Sequence, residues 1–172
     1  MSRFAEPPRK LDEAGFVQRF GGVYEHSPWI AHQLWQQGLD EQHDTVDGLA
    51  NALAQIVDSA GQDRQLTLIQ AHPDLAGRAA VAGELTADST GEQHSAGIDQ
   101  CSPEEFSRFQ QLNDTYKAKF GFPFVMAVKG SDRHAILAAF EQRLHNSPAD
   151  EFQRAITEIH KIARLRLTAL AG

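Results

Sequence analysis

The chain has 172 residues, of which 41% are hydrophobic and 23% charged, a composition typical of one globular domain. Sixteen basic and 23 acidic residues give a net charge of -7, which disfavours nucleic acids and anionic membranes as partners because both bind basic surfaces. The apolar runs are far shorter than the ~20 residues that a membrane-spanning helix needs. The single cysteine, Cys101, excludes an intramolecular disulfide and favours a reducing compartment. These features predict a cytoplasmic protein.

Residues 1–10 contain Pro7-Pro8 and no apolar segment of the kind found in secretory signals, so we predict a loose arm there. Residues 11–172 are predicted to form a single domain. Signals for helix starts recur through this range, at Ser27-Pro28, Thr45, Ser102-Pro103, Ser131 or Asp132, and Ser147-Pro148. Apolar residues follow each signal at spacings of three and four, and only 122–128 looks extended. The prediction is an all-α, compact helical bundle of about seven or eight helices.

His72 is the best single candidate for chemistry. It follows an apolar helix and precedes Pro73, which disfavours helical geometry at His72, so we expect the helix to end there. Both protonation states of an imidazole are accessible near pH 7, as acid–base catalysis requires. The alternative is a histidine that caps the last carbonyls of the helix, and position alone favours that alternative.

Glu92 lies in a polar, glycine-dotted stretch from Gly77 to Gln100, where long connections are often functional. The residues from Ser89 to Glu92 match a capping box, in which the two side chains cap a short helix reciprocally. The N–H groups at a helix N-terminus also bind anions, so the same residues could form one wall of a site for a carboxylate substrate. The sequence leaves both interpretations open.

Arg166 falls in the middle of the apolar face of the last predicted helix, whereas Arg164 lies about 160° away among polar residues. An unpaired buried arginine costs several kcal/mol, so Arg166 needs a partner. That partner could be an internal acid or water reached by the end of the side chain. It could equally be the carboxylate or ureide group of a ligand, which the planar guanidinium fits.

The apolar run 120–128 is either a buried connector that packs three phenylalanine rings or part of a binding site. Its backbone N–H and C=O groups must be satisfied, and a polar, ring-shaped ligand could satisfy them. None of the eight histidines forms a zinc motif, and the sequence has no phosphate-binding glycine loop. We therefore expect neither a metal nor an organic cofactor.

Four segments, in this order and with these gaps, resemble the 2-oxo-4-hydroxy-4-carboxy-5-ureidoimidazoline (OHCU) decarboxylase family. They are His72-Pro73-Asp74-Leu75, Ser89 to Gly97, Phe120 to Val125, and Glu158 to Leu167. The similarity extends from about Leu11 to Leu170. It implies an all-helical fold, a homodimer, no cofactor, and conversion of a ureidoimidazoline carboxylate to (S)-allantoin, the last step from urate.

The resemblance also implies roles for individual residues. His72 would be the acid–base residue, with Glu92 and Arg166 as its polar partners. Substrate contacts are implied for Pro73, Ser89, Thr90, Gly91, Gln93, Phe124, Val125, Met126, Ala127 and Val128. Decarboxylation without a cofactor is chemically reasonable here because the imidazoline ring of the substrate can accept the electron pair that CO2 leaves behind.

Two other classes of function remain as alternatives. A helical binding module for a purine-derived anionic ligand would keep Arg166 and the backbone contacts but would not need a titrating His72. A purely structural interaction domain predicts that Arg166 is paired with an internal acid and that there is no ligand pocket.

Overall fold

Eight α-helices lie in the part of the chain that the structure describes, residues 2–77 and 83–172 of a computed structural model. They are α1 (Glu13–Phe20), α2 (Trp29–Gln37), α3 (Val46–Asp58), α4 (Gln62–Gln70), α5 (Ala87–Ser95), α6 (Pro103–Phe120), α7 (Arg133–Arg143) and α8 (Pro148–Ala171). No β-strand occurs among these described residues, so the all-α prediction and its helix number are confirmed. None of the described helices combines the length and apolarity needed to cross a bilayer.

Side-chain caps start several helices where the sequence predicts them. The Thr45 hydroxyl accepts a hydrogen bond from the Gly48 N–H at 3.0 Å, at the start of α3. Ser102 and Glu105 form the predicted capping box of α6, with reciprocal bonds of 2.9 and 3.1 Å. Ser27 is an exception, because its hydroxyl donates to the Glu25 carbonyl and α2 begins two residues later without a side-chain cap.

Backbone contacts group the chain into two units, Met1–Ala71 with Ile159–Gly172, and His72–Glu158. The prediction of one domain over 11–172 therefore stays a prediction. In the first unit, α1 packs on α2 and α2 on α3 around a core that is almost fully inaccessible to solvent. The core includes Phe16, Phe20, Ile30, Leu49, Leu53 and Val57.

The second unit has an aromatic core centred on Tyr116 of α6, which is fully buried. The ring centroids of Phe122, Phe124 and Phe140 lie 5.9, 5.5 and 5.8 Å from that of Tyr116, all in edge-on geometry. Phe124 stacks on Phe140 at 3.9 Å. Edge-on and stacked ring pairs are worth about 0.5–1.5 kcal/mol beyond the area they bury, so this cluster anchors the non-helical run 122–128 to α6 and α7.

The N-terminal residues 2–10 are ordered against the first unit, so the prediction of a loose arm is wrong. The Phe4 side chain is 5% exposed, and the Phe4 N–H donates to the Asp44 carbonyl at 3.0 Å. Arg9 forms an ion pair of 3.0 Å with the buried Asp44, and Pro8–Lys10 forms a turn of 3-10 helix. The proline pair indicates only an unusual backbone, whereas the aromatic ring of Phe4 supplies the burial that fixes the segment.

We expect Phe4→Ala to lower the free energy of unfolding by about 3–5 kcal/mol, because it removes a buried aromatic side chain and leaves a cavity. The measurement is urea unfolding followed by circular dichroism. Phe106→Ala is the matched control, since Phe106 is 36% exposed and its truncation creates no enclosed cavity. Equal, small effects of the two substitutions would restore the loose-arm interpretation.

Candidate functional site

His72 lies just beyond α4, in the second unit, with a side chain that is 7% exposed. Helix α4 ends at Gln70, and the segment after it carries Pro73. The sequence predicts that the helix ends at His72, and the observed end lies two residues earlier, at Gln70. Pro73 disfavours helical geometry at His72 itself, and a difference of two residues is usual at the frayed end of a helix. His72 is therefore held at a buried bend rather than on a helix.

The three residues that follow Pro73 are bound by one face of α6. The residues of that face lie at spacings of three and four, so their side chains project on the same side of the helix. The contacts are Lys117 Nζ to Asp74 Oδ2 at 2.7 Å, Asn113 Nδ2 to the Leu75 carbonyl at 2.9 Å, and Gln110 Nε2 to the Ala76 carbonyl at 2.5 Å. Each residue of the segment 74–76 is thus hydrogen-bonded to a polar side chain of α6.

Gln93 of α5 binds two of the same three residues, Asp74 and Ala76, through the two ends of its amide. Gln93 Nε2 donates to the Asp74 carbonyl at 3.3 Å, and Gln93 Oε1 accepts from the Ala76 N–H at 3.1 Å. The side chain is buried, at 6% exposure. Its oxygen and its amide nitrogen are therefore both engaged with the backbone next to His72.

Helix α5 starts earlier than the sequence predicts, and the capping-box interpretation of Ser89 and Glu92 is wrong. The cap is Thr86, whose hydroxyl accepts from the Ser89 N–H at 3.2 Å. Ser89 is the third residue of the helix and is buried, whereas Thr90 and Gly91 are exposed and Glu92 is half-buried. Threonine is also a favoured cap residue, although serine ranks above it, so residue type alone does not identify Thr86 as the cap.

The run 122–128 is non-helical and largely buried, as predicted. Two of its backbone groups are satisfied by side chains of the protein. Arg143 Nη1 donates to the Val125 carbonyl at 2.7 Å, and the Ala127 N–H donates to Glu158 Oε1 at 3.1 Å. Met126 and Ala127 are half-buried, whereas Phe124, Val125 and Val128 are at most 5% exposed.

Arg143 reaches Val125 from a buried ion pair that the sequence analysis missed. Its guanidinium binds both oxygens of Glu151, with Nη2 to Oε2 at 2.8 Å, and Glu151 is completely buried. Tyr116 and Asn146 also donate to this carboxylate. Glu151 lies four residues before the apolar Ala155 on α8, so the helical phase that identified Arg166 could have found it.

The electrostatics of this ion pair favour an ionised Glu151. Burial by itself would raise the pKa of Glu151, but the hydrogen bonds from Arg143, Tyr116 and Asn146 outweigh burial and hold the pKa below its ordinary value. The pKa of Tyr116 is raised, first by burial and then by its bond to Glu151. Arg143 therefore keeps its counter-ion at neutral pH while it binds the Val125 carbonyl.

Arg166 lies in the first unit and points inward, while Arg164 is exposed, as the helical phase predicts. Arg166 Nη2 binds Glu25 Oε2 at 2.8 Å, and Arg166 Nη1 donates to the Gly22 carbonyl at 3.1 Å. The side chains of Arg166 and Glu25 are 5% and 1% exposed. Arg164, at 44% exposure, pairs with Asp47 on the surface. Of the partners that the sequence leaves open for Arg166, the structure contains the internal acid.

The predicted site residues therefore fall in two groups. His72, Pro73, the residues of α5 and the run 124–128 belong to the second unit, and Arg166 belongs to the first. Within the second unit, Gln93 connects α5 to the segment after His72. No group of three or more histidine, cysteine or acidic side chains suited to a metal ion occurs in the described ranges 2–77 and 83–172.

Comparisons with known proteins give a consistent result. The sequence model of the family described as OHCU decarboxylase matches residues 9–168. The 2-oxo-4-hydroxy-4-carboxy-5-ureidoimidazoline decarboxylase of Halalkalicoccus jeotgali is 44% identical over 96% of this chain and 90% of its own length. The protein of that name from Haloferax volcanii is also 44% identical, over 92% of this chain and 90% of its own.

A crystal structure of an (S)-allantoin synthase superposes on this chain with a TM-score of 0.75 and 31% sequence identity. The match covers 95% of this chain and 52% of the other, so this chain spans about half the length of that protein.

We expect the wild-type protein to lose stability as the pH falls below the ordinary glutamate pKa of about 4.3, since Glu151 must then be protonated. The loss continues as the pH passes through the lowered pKa of the folded state. Glu151→Gln leaves Arg143 buried without a counter-ion and should cost about 3–5 kcal/mol at pH 7. The measurement is urea unfolding of both proteins between pH 7 and pH 3.

The stability difference between wild type and Glu151→Gln should shrink on acidification, because protonation removes the charge that the substitution also removes. Glu141→Gln is the control, since Glu141 pairs with Arg108 on the surface at 51% exposure and should matter by less than about 1 kcal/mol. A difference that does not change with pH would show that Glu151 is not ionised in the folded protein.

Proposed function

This chain belongs to the OHCU decarboxylase family, and on that premise we propose that it converts 2-oxo-4-hydroxy-4-carboxy-5-ureidoimidazoline to (S)-allantoin and CO2. The observation that carries the proposal is the 44% identity to a protein of that name over 96% of the chain. The family match from residue 9 to residue 168 includes every residue to which we assign a role.

The reaction needs an electron sink and a movable proton. The bond between the ring carbon and the carboxylate breaks and CO2 leaves. Its electron pair forms a carbon–carbon double bond in the ring, the electrons of the ring C=N bond move to nitrogen, and that nitrogen takes up a proton, which gives an enol. The hydroxyl group then loses its proton while the neighbouring ring carbon gains one, which gives the carbonyl of allantoin. A single group that can both accept and donate a proton suits this exchange, and histidine does so near neutral pH.

We assign this proton exchange to His72. Support comes from the burial of His72 and from its position at a bend before Pro73. Further support comes from the four polar side chains that bind residues 74–76. A fixed imidazole can deliver a proton to one face of the planar enol, and this explains how one enantiomer is formed. Protonation in free solution reaches both faces equally and gives a racemate.

Glu92 is proposed as a polar partner of His72 in the same reaction. It is half-buried on α5, the helix that Gln93 connects to the segment after His72. The role of its carboxylate would be to orient the hydroxyl or ureido group of the substrate by charge-assisted hydrogen bonds. This assignment rests on the resemblance to the family and on that placement.

Substrate contacts are proposed for Pro73, for residues 89–93 and for the backbone of 124–128. Two backbone groups of the run 124–128 already have hydrogen-bond partners within the protein. The Val125 carbonyl is bound by Arg143 and the Ala127 N–H by Glu158, so the contacts of this run would involve its other backbone groups.

Arg166 is proposed to act in the reaction through its guanidinium. The family resemblance supports this role. The ion pair of Arg166 with Glu25 gives the planar guanidinium a fixed orientation within the first unit. The exposed Arg164 has no proposed role.

Two further proposals concern the state of the protein in the cell. The resemblance to the family supports a homodimer. The single Cys101 and the net charge of -7 support a cytoplasmic location without nucleic-acid or membrane partners.

We expect His72→Asn to lower kcat/KM by about 10²–10⁴-fold, the range typical of a lost acid–base residue, and to give racemic product. The unstable substrate is generated in situ from urate, and optical activity is followed as allantoin forms. His134→Asn is the matched control, because the His134 side chain is 70% exposed. Normal enantiomeric excess from a His72→Asn protein with a native circular dichroism spectrum would remove His72 from the mechanism.

We expect Arg166→Lys to lower kcat/KM by roughly one to two decades, because lysine cannot present the bidentate fork. Arg164→Lys should behave like the wild type, since an exposed arginine contributes less than about 1 kcal/mol. Turnover and thermal stability are measured for both variants. If Arg166→Lys lowers only the melting temperature and leaves turnover intact, the pair with Glu25 is structural and Arg166 has no part in the reaction.

A further inference from the structure

The segment Asp74 to Ala76 is held by side-chain amides that come from two different helices. All three of its carbonyl groups accept hydrogen bonds from glutamine or asparagine side chains. The acceptor and donor pairs are the Asp74 carbonyl with Gln93, the Leu75 carbonyl with Asn113, and the Ala76 carbonyl with Gln110. The Ala76 N–H adds a fourth bond, to Gln93 Oε1. Amides suit this task because they pair buried backbone groups without burying a charge.

We propose that Gln93 and Asn113 are positioning residues that fix the orientation of His72 by holding the backbone of residues 74–76. The proposal rests on the proposed function, in which His72 exchanges protons with the substrate. Neither side chain needs to touch the substrate, since each acts through the peptide groups it binds.

Ala76 has an unfavourable backbone conformation. Its φ of +53° lies in the left-handed region, which residues other than glycine rarely adopt. Gln93 forms one hydrogen bond to each of the two peptide groups that join residues 74 to 76, at the Asp74 carbonyl and at the Ala76 N–H. These two hydrogen bonds offset the unfavourable torsion of Ala76 and keep the turn in one conformation.

Pro73 transmits this constraint to His72. The proline ring holds its own φ near -65°, and it also restricts the backbone of the residue before it. Few torsions therefore remain between the held segment and the imidazole. Asn113 and Gln93 are 2% and 6% exposed, so solvent does not compete with their hydrogen bonds.

This inference adds a second role to Gln93. The family resemblance implies that Gln93 contacts the substrate, and besides its bonds to Asp74 and Ala76 its amide has a second N–H that such a contact could use. A substrate contact and a positioning role make different kinetic predictions. Losing a contact made equally in the ground state and the transition state raises KM, whereas displacing the acid–base residue lowers kcat.

The test uses Gln93→Glu and Asn113→Asp, which keep side-chain size but replace the N–H donor by a carboxylate oxygen. Gln65→Glu is the matched control, because Gln65 Nε2 binds the Val57 and Asp58 carbonyls at 3.0 and 3.3 Å in the first unit. For each variant, kcat, KM, the enantiomeric excess of allantoin and urea unfolding are measured, with substrate generated in situ.

We expect Gln93→Glu and Asn113→Asp to lower kcat by about 10–100-fold and to lower the enantiomeric excess. Asn113→Asp should change KM by less than about threefold, because Asn113 is not among the proposed substrate contacts. Gln65→Glu should lose stability but keep wild-type kcat and enantiomeric excess, which separates positioning from general destabilisation. If a carboxylate variant does not fold, Gln93→Met and Asn113→Ala replace it with the same expected results, since they remove the hydrogen bonds without adding charge.

A raised KM with unchanged kcat and unchanged enantiomeric excess in Gln93→Glu would overturn the positioning role of Gln93 and leave it as a substrate contact alone. Unchanged kcat and enantiomeric excess in both Gln93→Glu and Asn113→Asp, while His72→Asn is inactive, would overturn the whole proposal but leave the proposed function intact. Racemic allantoin at the uncatalysed rate from the wild-type protein would instead contradict the proposed function itself.

Discussion

The need to pair buried backbone groups outside the helices determines much of the second unit. The residues after His72 and the run 122–128 are both buried and non-helical, so neither can use the hydrogen-bonding pattern of a helix. In both places side chains of neighbouring helices supply partners: amides bind the first segment, and Arg143 and Glu158 bind the second. Polar residues of this unit therefore hold in place two of the segments to which the proposed site is assigned.

In the described part of the chain, every buried charged side chain of arginine, aspartate or glutamate is paired. Arg143 binds Glu151 within the second unit and Arg166 binds Glu25 within the first, and all four side chains are at most 6% exposed. Removing one partner of such a pair leaves an uncompensated buried charge, so each pair fixes the orientation of its guanidinium. A fixed guanidinium can then bind a specific carbonyl oxygen, as Arg143 does at Val125.

Local signals in the sequence predict several helix starts correctly. Thr45 and Ser102 each cap the helix that they are predicted to start, and of the two candidates Ser131 and Asp132 it is Asp132 that caps α7. The capping rule is wrong at Ser89, because Thr86, three residues earlier and also a cap former, starts the helix. A different signal is wrong at residues 2–10, where Pro7-Pro8 predicts a loose arm and the burial of Phe4 decides the outcome.

The sequence by itself determined the all-α class, the bend at His72 and the inward direction of Arg166, because each follows from periodicity or from the restricted torsions next to a proline. Only the tertiary structure decided which groups those side chains meet. Glu25 lies 141 residues from Arg166 and Asn113 lies 38 residues from Leu75, and no local pattern relates such distant positions. Helical phase gives the direction in which a side chain points, whereas packing of the helices determines which partner it reaches.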